Sequence, residues 1–375
     1  MSYNRAEYDT EALRHNIRLV RHLVGAERKI CAAVKANGYG MGVLPMAQVL
    51  LSEGVDYFAV ANTEEGIELR KNGFDLPILV LGAIPDKDLP KAIYYELTIG
   101  IYYFDTACLV NLIGEKAQKK AKVHVMLDTG MHRLGFLPTE KSKGEIKVIS
   151  EMPYIELEGI FSHLSQTDKS RSFTEKQIQC FRSFTEDLEK GGVSIPIRHI
   201  ANSNAILDYP EAYFDMVRPG IILHGYGTEN PKSSSLQEVL TLKSAIVRIH
   251  EAEVGAEVSY MGNYVTEEKR RIATIPIGYA DGYFRSLSGK AEMLVRGKRV
   301  PQVGNICMDQ CMIDVTEVPE AKVGDEVVLY GKQGEEYISV EEAATKANTI
   351  SYELLTSLKR VPKYYYFEDE DEDEV

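Results

Sequence analysis

The sequence has no apolar run approaching the roughly 20 residues that a membrane-spanning helix needs. Its first residues, Met1-Ser2-Tyr3-Asn4-Arg5-Ala6-Glu7, lack the apolar core of a signal peptide. Both absences lead to the expectation of a cytoplasmic protein with no membrane partner. Cysteine is sparse: Cys31, Cys108, Cys180, Cys307 and Cys311 are odd in number and mostly scattered. In a long chain without a secretory signal, that excludes a disulfide framework. No second Cys or His pair accompanies Cys307 and Cys311, so no metal site is expected. There is no basic stripe either, which argues against a nucleic-acid partner. The formal net charge is −13, and seven of the acidic residues stand in the run 368–374, which reads as a solvated tail. No G-x-G-x-x-G follows any candidate strand, and no repeat of solenoid period occurs.

What is present is a globular composition. The 375 residues are 44% hydrophobic and 26% charged, enough for two domains with sizeable cores. A helical pattern over 8–28 puts Leu13, Ile17, Val20, Leu23 and Val24 on one face. Eight short apolar segments follow, at 30–34, 57–60, 78–81, 98–102, 122–127, 157–162, 196–200 and 215–218. Amphipathic stretches at 43–54, 62–72, 106–120, 139–151 and 173–191 alternate with them. Eight βα units fit a (β/α)8 barrel, roughly 250 residues in size; an open doubly wound sheet is the runner-up.

A polar connection at 228–235 then changes the pattern. Beyond it lie strand-like segments at 240–250, 257–260, 271–277, 291–296, 298–303, 310–315 and 326–330, and one helical stretch at 340–358. The predicted fold is therefore α/β: an N-terminal (β/α)8 barrel over 1–235, a mainly-β domain over 236–367 and an acidic tail over 368–375.

In such a barrel the chemistry sits at the C-terminal ends of the strands. The first strand ends in Lys35 and a glycine-rich loop with Tyr39, Gly38, Gly40 and Gly42. An amine there must shift its pKa or find a partner, and its two uses are a Schiff base with a carbonyl compound or a phosphate contact. The fifth strand ends in Asp128-Thr129-Gly130-Met131-His132-Arg133, and the sixth in Ser162-His163. The seventh ends in Ala201-Asn202-Ser203-Asn204 and the eighth in Arg218-Pro219-Gly220-Ile221. Taken singly, Arg133 reads as a partner of Asp128, His163 as a core histidine, and Asn202-Ser203 as a helix cap. Taken together on one rim, they read as a site. In the second half, Gly278-Tyr279-Ala280-Asp281-Gly282, the stretch 304–310 with Met308, and Tyr352 interrupt the regular pattern.

These motifs, in this order, resemble the alanine racemase family of pyridoxal 5'-phosphate (PLP) enzymes over all but the acidic tail. The resemblance rests on Val34-Lys35-Ala36-Asn37-Gly38-Tyr39-Gly40, Leu127-Asp128-Thr129-Gly130-Met131-His132-Arg133-Leu134-Gly135, Ser162-His163 and Ala201-Asn202-Ser203. It continues through Val217-Arg218-Pro219-Gly220-Ile221, Gly278-Tyr279-Ala280-Asp281-Gly282, Ile306-Cys307-Met308-Asp309-Gln310 and Ser351-Tyr352-Glu353. It implies a homodimer in which each site takes residues from the other subunit's β-domain. It implies racemisation of L- and D-alanine by two bases, supplying D-alanine for peptidoglycan. Lys35 would carry PLP and serve the D face, and Tyr279 of the partner subunit the L face. Tyr39, Asn202, Ser203, Gly220, Ile221 and Tyr352 would surround the phosphate. Arg133 would meet the cofactor's phenolate oxygen and the substrate carboxylate, which the Met308 N–H would also bind. Arg218 would face the pyridine nitrogen, with His163 linking it to Tyr279. The alternative within the family is a serine or broad-specificity racemase.

Three positions depart from the family pattern. Met126 stands where many members have a carbamylated lysine that holds the arginine corresponding to Arg133, leaving Asp128, His132 or a bound anion to orient it. Asn305 replaces an arginine at the site entrance, and His132 replaces a glycine.

Overall fold

A computed structural model describes residues 3–227 and 231–366. The acidic tail and the first part of the 228–235 connection lie outside the described residues. The chain divides into two compact units, one of residues 13–38 and 42–237, the other of residues 1–12, 39–41 and 238–375.

The larger unit is an eight-stranded parallel sheet. In chain order its strands are β2 (Lys29–Ala33), β3 (Tyr57–Val60), β4 (Ile78–Val80), β5 (Thr98–Ile101), β6 (Ala121–Met126), β7 (Ile155–Phe161), β8 (Ile197–His199) and β9 (Met216–Val217). β1 (Arg5–Asp9) belongs to the other unit. β9 pairs with β2, each strand from β2 to β8 pairs with the next, and Asp215 N–H to Arg198 O at 3.0 Å and Arg218 N–H to Ala201 O at 3.0 Å span the remaining gap. The barrel is thus nearly closed, as the eight apolar segments predicted. β3, β4 and β5 are buried at every position, as parallel strands covered on both faces require. The intervening helices start where a side-chain oxygen satisfies a free N–H: Asn62 caps Thr63–Lys71, Thr139 caps Glu140–Glu151 and Ser170 caps Arg171–Lys190.

The smaller unit is mainly sheet. Ten strands run from Arg248–Ala252 at one edge through Arg270–Ile275, Cys311–Asp314, Lys298–Val303, Glu292–Val295, Glu326–Gln333 and Leu240–Ala245 to β1 and Lys363–Tyr366, with Glu336–Ile338 paired off this path. Three local expectations are corrected here. Residues 5–9 form a strand that the helical reading overlooked; it is held by Tyr8, which is buried and stacks on Tyr365 with ring centroids 5.8 Å apart. The segment 240–250 is two strands, Leu240–Ala245 and Arg248–Ala252. The single helix expected at 340–358 is two, because Asn348 takes a left-handed conformation (φ 59°) that ends Val340–Ala347 before Ser351–Ser357 begins. Among the described residues no helix is long and apolar enough to cross a membrane.

Candidate functional site

Lys35 stands two residues past the end of β2, after the buried Val34. Beyond it, Ala36, Asn37, Gly38 and Tyr39 all have positive φ (54°, 55°, 61° and 52°), which makes one left-handed turn. For Ala36 and Tyr39 that conformation costs on the order of 1–2 kcal/mol each. It persists because its surroundings fix it. Gly38 N–H bonds Val34 O at 2.8 Å and Gly42 N–H bonds Asn37 O at 2.9 Å. The Asn37 side chain accepts from Val43 N–H at 2.8 Å, and Glu65 accepts from Ala36 N–H at 2.8 Å and Ala61 N–H at 2.7 Å. Strain held this firmly at a strand end is a mark of function. Lys35 itself is half-buried, and its pKa is pushed down by burial and by the positive charges of Arg133 and Arg218, against the opposing pull of Glu65. A larger fraction of the amine is therefore neutral and nucleophilic near neutrality.

Arg218, just after β9, is buried, and both of its Nη nitrogens are engaged. Nη1 donates to His199 O (3.1 Å) and His199 Nδ1 (2.8 Å). Nη2 donates to Ser162 O (2.7 Å), with longer contacts to His163 Nδ1 (3.3 Å) and Ile200 O (3.4 Å). The guanidinium lies 5.6 Å over the Phe161 ring. Burial pushes Arg218 down to about 10. Burial, then the charges of Arg218, Arg133 and Lys35, push His163 down to about 3, so its imidazole is neutral. Ser203 Oγ accepts from Gly220 N–H at 2.9 Å, which joins the rims of β8 and β9. Asn202 caps the short helix Ser203–Asp208 through Ala205 N–H at 3.1 Å and donates to Leu164 O at 3.1 Å. Ile221 is buried beside Gly220 at the start of the turn Ile221–His224.

Arg133 sits on the same rim, exposed, with no hydrogen bond or ion pair among the described residues. Neither Asp128 nor His132 orients it. Asp128 Oδ1 is committed to the loop backbone, taking the N–H groups of Gly130, Met131 and His132 at 2.9, 3.0 and 3.0 Å, while Oδ2 lies 3.4 Å from His132 Nδ1. Met126 packs with Tyr102 and Phe161 in an apolar cluster. The rim therefore collects Lys35, Arg133, His163, Asn202, Ser203, Arg218, Gly220 and Ile221.

Tyr39, Tyr352, Tyr279 and Met308 belong to the smaller unit. The rings of Tyr39 and Tyr352 are 6.0 Å apart. Tyr39 is buried, and burial, with Tyr352 beside it, pushes its phenol pKa up. A Cβ at Gly40 would lie 2.2 Å from Leu355 O, so only glycine lets residues 39–41 rest against the helix Ser351–Ser357 of the same unit. Tyr279 and Met308 stand on adjoining turns, joined by Tyr279 N–H to Cys307 O (3.1 Å) and Ala280 N–H to Met308 O (3.0 Å). Both side chains are exposed, at 41% and 54%. Asn305 is buried: it donates to Tyr260 O at 2.7 Å and its carbonyl accepts from Ser259 Oγ at 2.6 Å. It braces a turn and does not project as an entrance residue would. Sequence reading also passed over His199, His124 and Glu158, which lie beneath Arg218 inside the barrel. A histidine in the middle of an apolar strand carries no signal that separates it from a satisfied core residue.

A nearly closed (β/α)8 barrel with a partly desolvated lysine and a buried arginine on its rim, joined to a mainly-β unit, defines a class of two-unit barrel enzyme. Residues 8–228 match the family model of the alanine racemase N-terminal domain, and residues 239–365 that of the C-terminal domain. The chain belongs to the alanine racemase family. It is 42% identical over 365 residues to an alanine racemase of Methanococcus maripaludis, covering 96% of this chain and 98% of that one. An alanine racemase structure from Clostridium difficile superposes with a TM-score of 0.91 at 40% identity, over 98% of this chain and 96% of that one. One from Bacillus anthracis with bound L-Ala-P gives 0.91 at 33% identity, over 98% and 96%.

Proposed function

We propose that this chain interconverts L- and D-alanine with PLP as cofactor, as a cytoplasmic homodimer that supplies D-alanine for peptidoglycan. The observation that carries the reading is Lys35 on its fixed left-handed turn, facing a rim with two guanidinium groups and no carboxylate among the proposed site residues. The residue set fits PLP. Lys35 would hold its carbonyl carbon. Ser203, Gly220 and Ile221, with Asn202, Tyr39 and Tyr352, would hold its phosphate; among the described residues the Ser203 hydroxyl hydrogen has no acceptor. When bound, PLP supplies the electron sink that makes the substrate Cα–H acidic.

The protein's own groups then do the rest. Arg133, unpaired among the described residues, and the Met308 N–H of the partner subunit orient the substrate carboxylate. Lys35 exchanges a proton on one face of Cα and Tyr279 of the partner subunit on the other, since a single base returns its proton to the face it came from. A phenol titrates ordinarily near ~10 and needs help to act as a base at neutral pH. His163 provides it. Arginine only donates, so His163 Nδ1 must accept from Arg218, and its proton resides on Nε2, free to bond a phenolate oxygen. Because Arg218 also only donates, a ring nitrogen facing it stays unprotonated.

The test is initial racemisation rates of PLP-loaded protein on L-alanine, L-serine and L-lysine, beside Tyr279→Phe. Preference for alanine, with the L-to-D direction selectively impaired in the variant, is the expected result. Comparable rates on serine would move the reading to a broad-specificity racemase, and absence of racemisation on all three would overturn it.

A further inference from the structure

The barrel interior below the rim is polar where bulky aliphatic side chains are the rule. Arg218 Nη1 meets His199 Nδ1 at 2.8 Å, His199 Nε2 meets His124 Nδ1 at 2.8 Å, and His124 Nε2 meets Glu158 Oε2 at 3.1 Å. Lys122 closes the chain on Glu158 Oε1 at 2.8 Å. His124 and His199 are fully buried. Among the described residues no group of side chains is placed to hold a metal ion, and the direct contacts leave no room for one.

The two ends fix the direction. Arginine can only donate and an ionised carboxylate can only accept. His199 Nδ1 must therefore accept, which puts its proton on Nε2. That proton goes to His124 Nδ1, which puts the second proton on His124 Nε2, aimed at Glu158. Each imidazole is neutral with one defined tautomer. The charges agree: burial pushes both histidines down, His199 well below its ordinary value. Burial alone would raise Glu158, but the hydrogen bonds from His124 and Lys122 outweigh it and hold the carboxyl down to about 2.

The backbone is shaped around this chain. Val123 pairs with Leu157 but His124 pairs with Gly159, so Glu158 is the extra residue of a β-bulge, a device that re-aims a side chain. A Cβ at position 159 would lie 2.8 Å from the His124 ring, so glycine makes room for the imidazole. His199 stacks on Phe161, at 5.2 Å and 14°.

We propose that His199, His124 and Glu158 form a one-directional hydrogen-bond chain that positions Arg218 for the reaction and keeps its guanidinium a donor toward the rim. The function assigned to the chain rests on the proposed racemase reading; its existence does not. His124, His199 and Glu158 are positioning residues, acting through Arg218.

The test has two arms. In the holoenzyme labelled with 15N-histidine, His124 and His199 should both appear as neutral Nε2–H tautomers; an Nδ1–H tautomer or an imidazolium at either overturns the chain. In steady-state kinetics, His124→Phe removes the acceptor for His199 and should lower kcat on L-alanine roughly 10- to 100-fold with KM little changed. His124→Asn, whose side-chain oxygen can still accept from His199, should recover most of that loss. A packing role predicts the reverse order, because Phe fills the space and Asn does not, and that order overturns positioning. Should His124→Phe fail to fold, the tautomers still decide. Should the wild type not racemise alanine, the spectra still decide the chain, and the functional reading alone fails.

Discussion

The rim of the barrel and the turns carrying Tyr279 and Met308 solve opposite problems. Arg218 is buried and spends its donors on carbonyl oxygens of Ser162, His199 and Ile200 and on two imidazoles. Tyr279 and Met308 stand on exposed turns, and among the described residues their own side chains make no hydrogen bond. The first arrangement is preorganised by its own fold, and every change there disturbs several partners. The second holds the backbone and leaves the side chain free, as suits a group proposed to work in another subunit. Substitutions at the two places should therefore separate activity from stability in different ways.

The largest effect belongs to Lys35→Ala. Removing both the cofactor's anchor and one base should lower alanine racemisation by about 10⁴-fold or more. Thermal unfolding should barely change, because a half-buried amine with a lowered pKa contributes little to the fold. A rate assay beside a melting curve checks both; retained racemisation at more than a few per cent would remove Lys35 from the site.

Next comes Arg218→Leu against Met308→Ala. The first strands several buried carbonyls and a histidine acceptor, each worth roughly 1–3 kcal/mol when left unpaired, so unfolding in denaturant should show a loss of about 3 kcal/mol or more. The second is an exposed truncation and should stay within about 0.5 kcal/mol. Equal losses would erase the contrast between the two regions.

Much of this was legible from residue order because the signals are local. Apolar segments such as Tyr57–Val60 and Ile78–Val80 are buried on both sides and read as continuous runs, and Asn62 and Thr139 announce their helices. The rim residues were legible because a barrel collects strand ends. What stayed hidden depends on pairing across distance. The strand Arg5–Asp9 is polar at its ends and exists only because Leu240–Ala245 and Lys363–Tyr366 flank it. The left-handed turn after Lys35 shows only as glycines, though Ala36 and Tyr39 share its conformation. Glu158 faces His124 through a bulge, and His124 meets His199 across 75 residues, which no periodicity encodes.

The smallest effect is acid sensitivity, and it too should divide the molecule. Burial pushes His224 down to about 4 and His199 well below its ordinary value. In the unfolded chain an imidazole titrates near ~6.5, so below that pH the unfolded state binds protons that the folded barrel refuses. The stability these groups confer is complete above about 6.5. It falls as the pH drops from there toward 4, by about 1.4 kcal/mol per pH unit for each such imidazole. Residues 238–375 hold one histidine, His250; burial and then the Arg248 charge lower its pKa too, but it is only partly buried, so their sheet carries less of this liability. Hydrogen exchange at pH 5.5 and 7.5, corrected for intrinsic rates, should show β2–β9 losing more protection on acidification than Arg270–Ile275 and Glu326–Gln333. His224→Gln should shallow the barrel's response. Uniform loss across both units would mean that acid acts through net charge and not through these imidazoles.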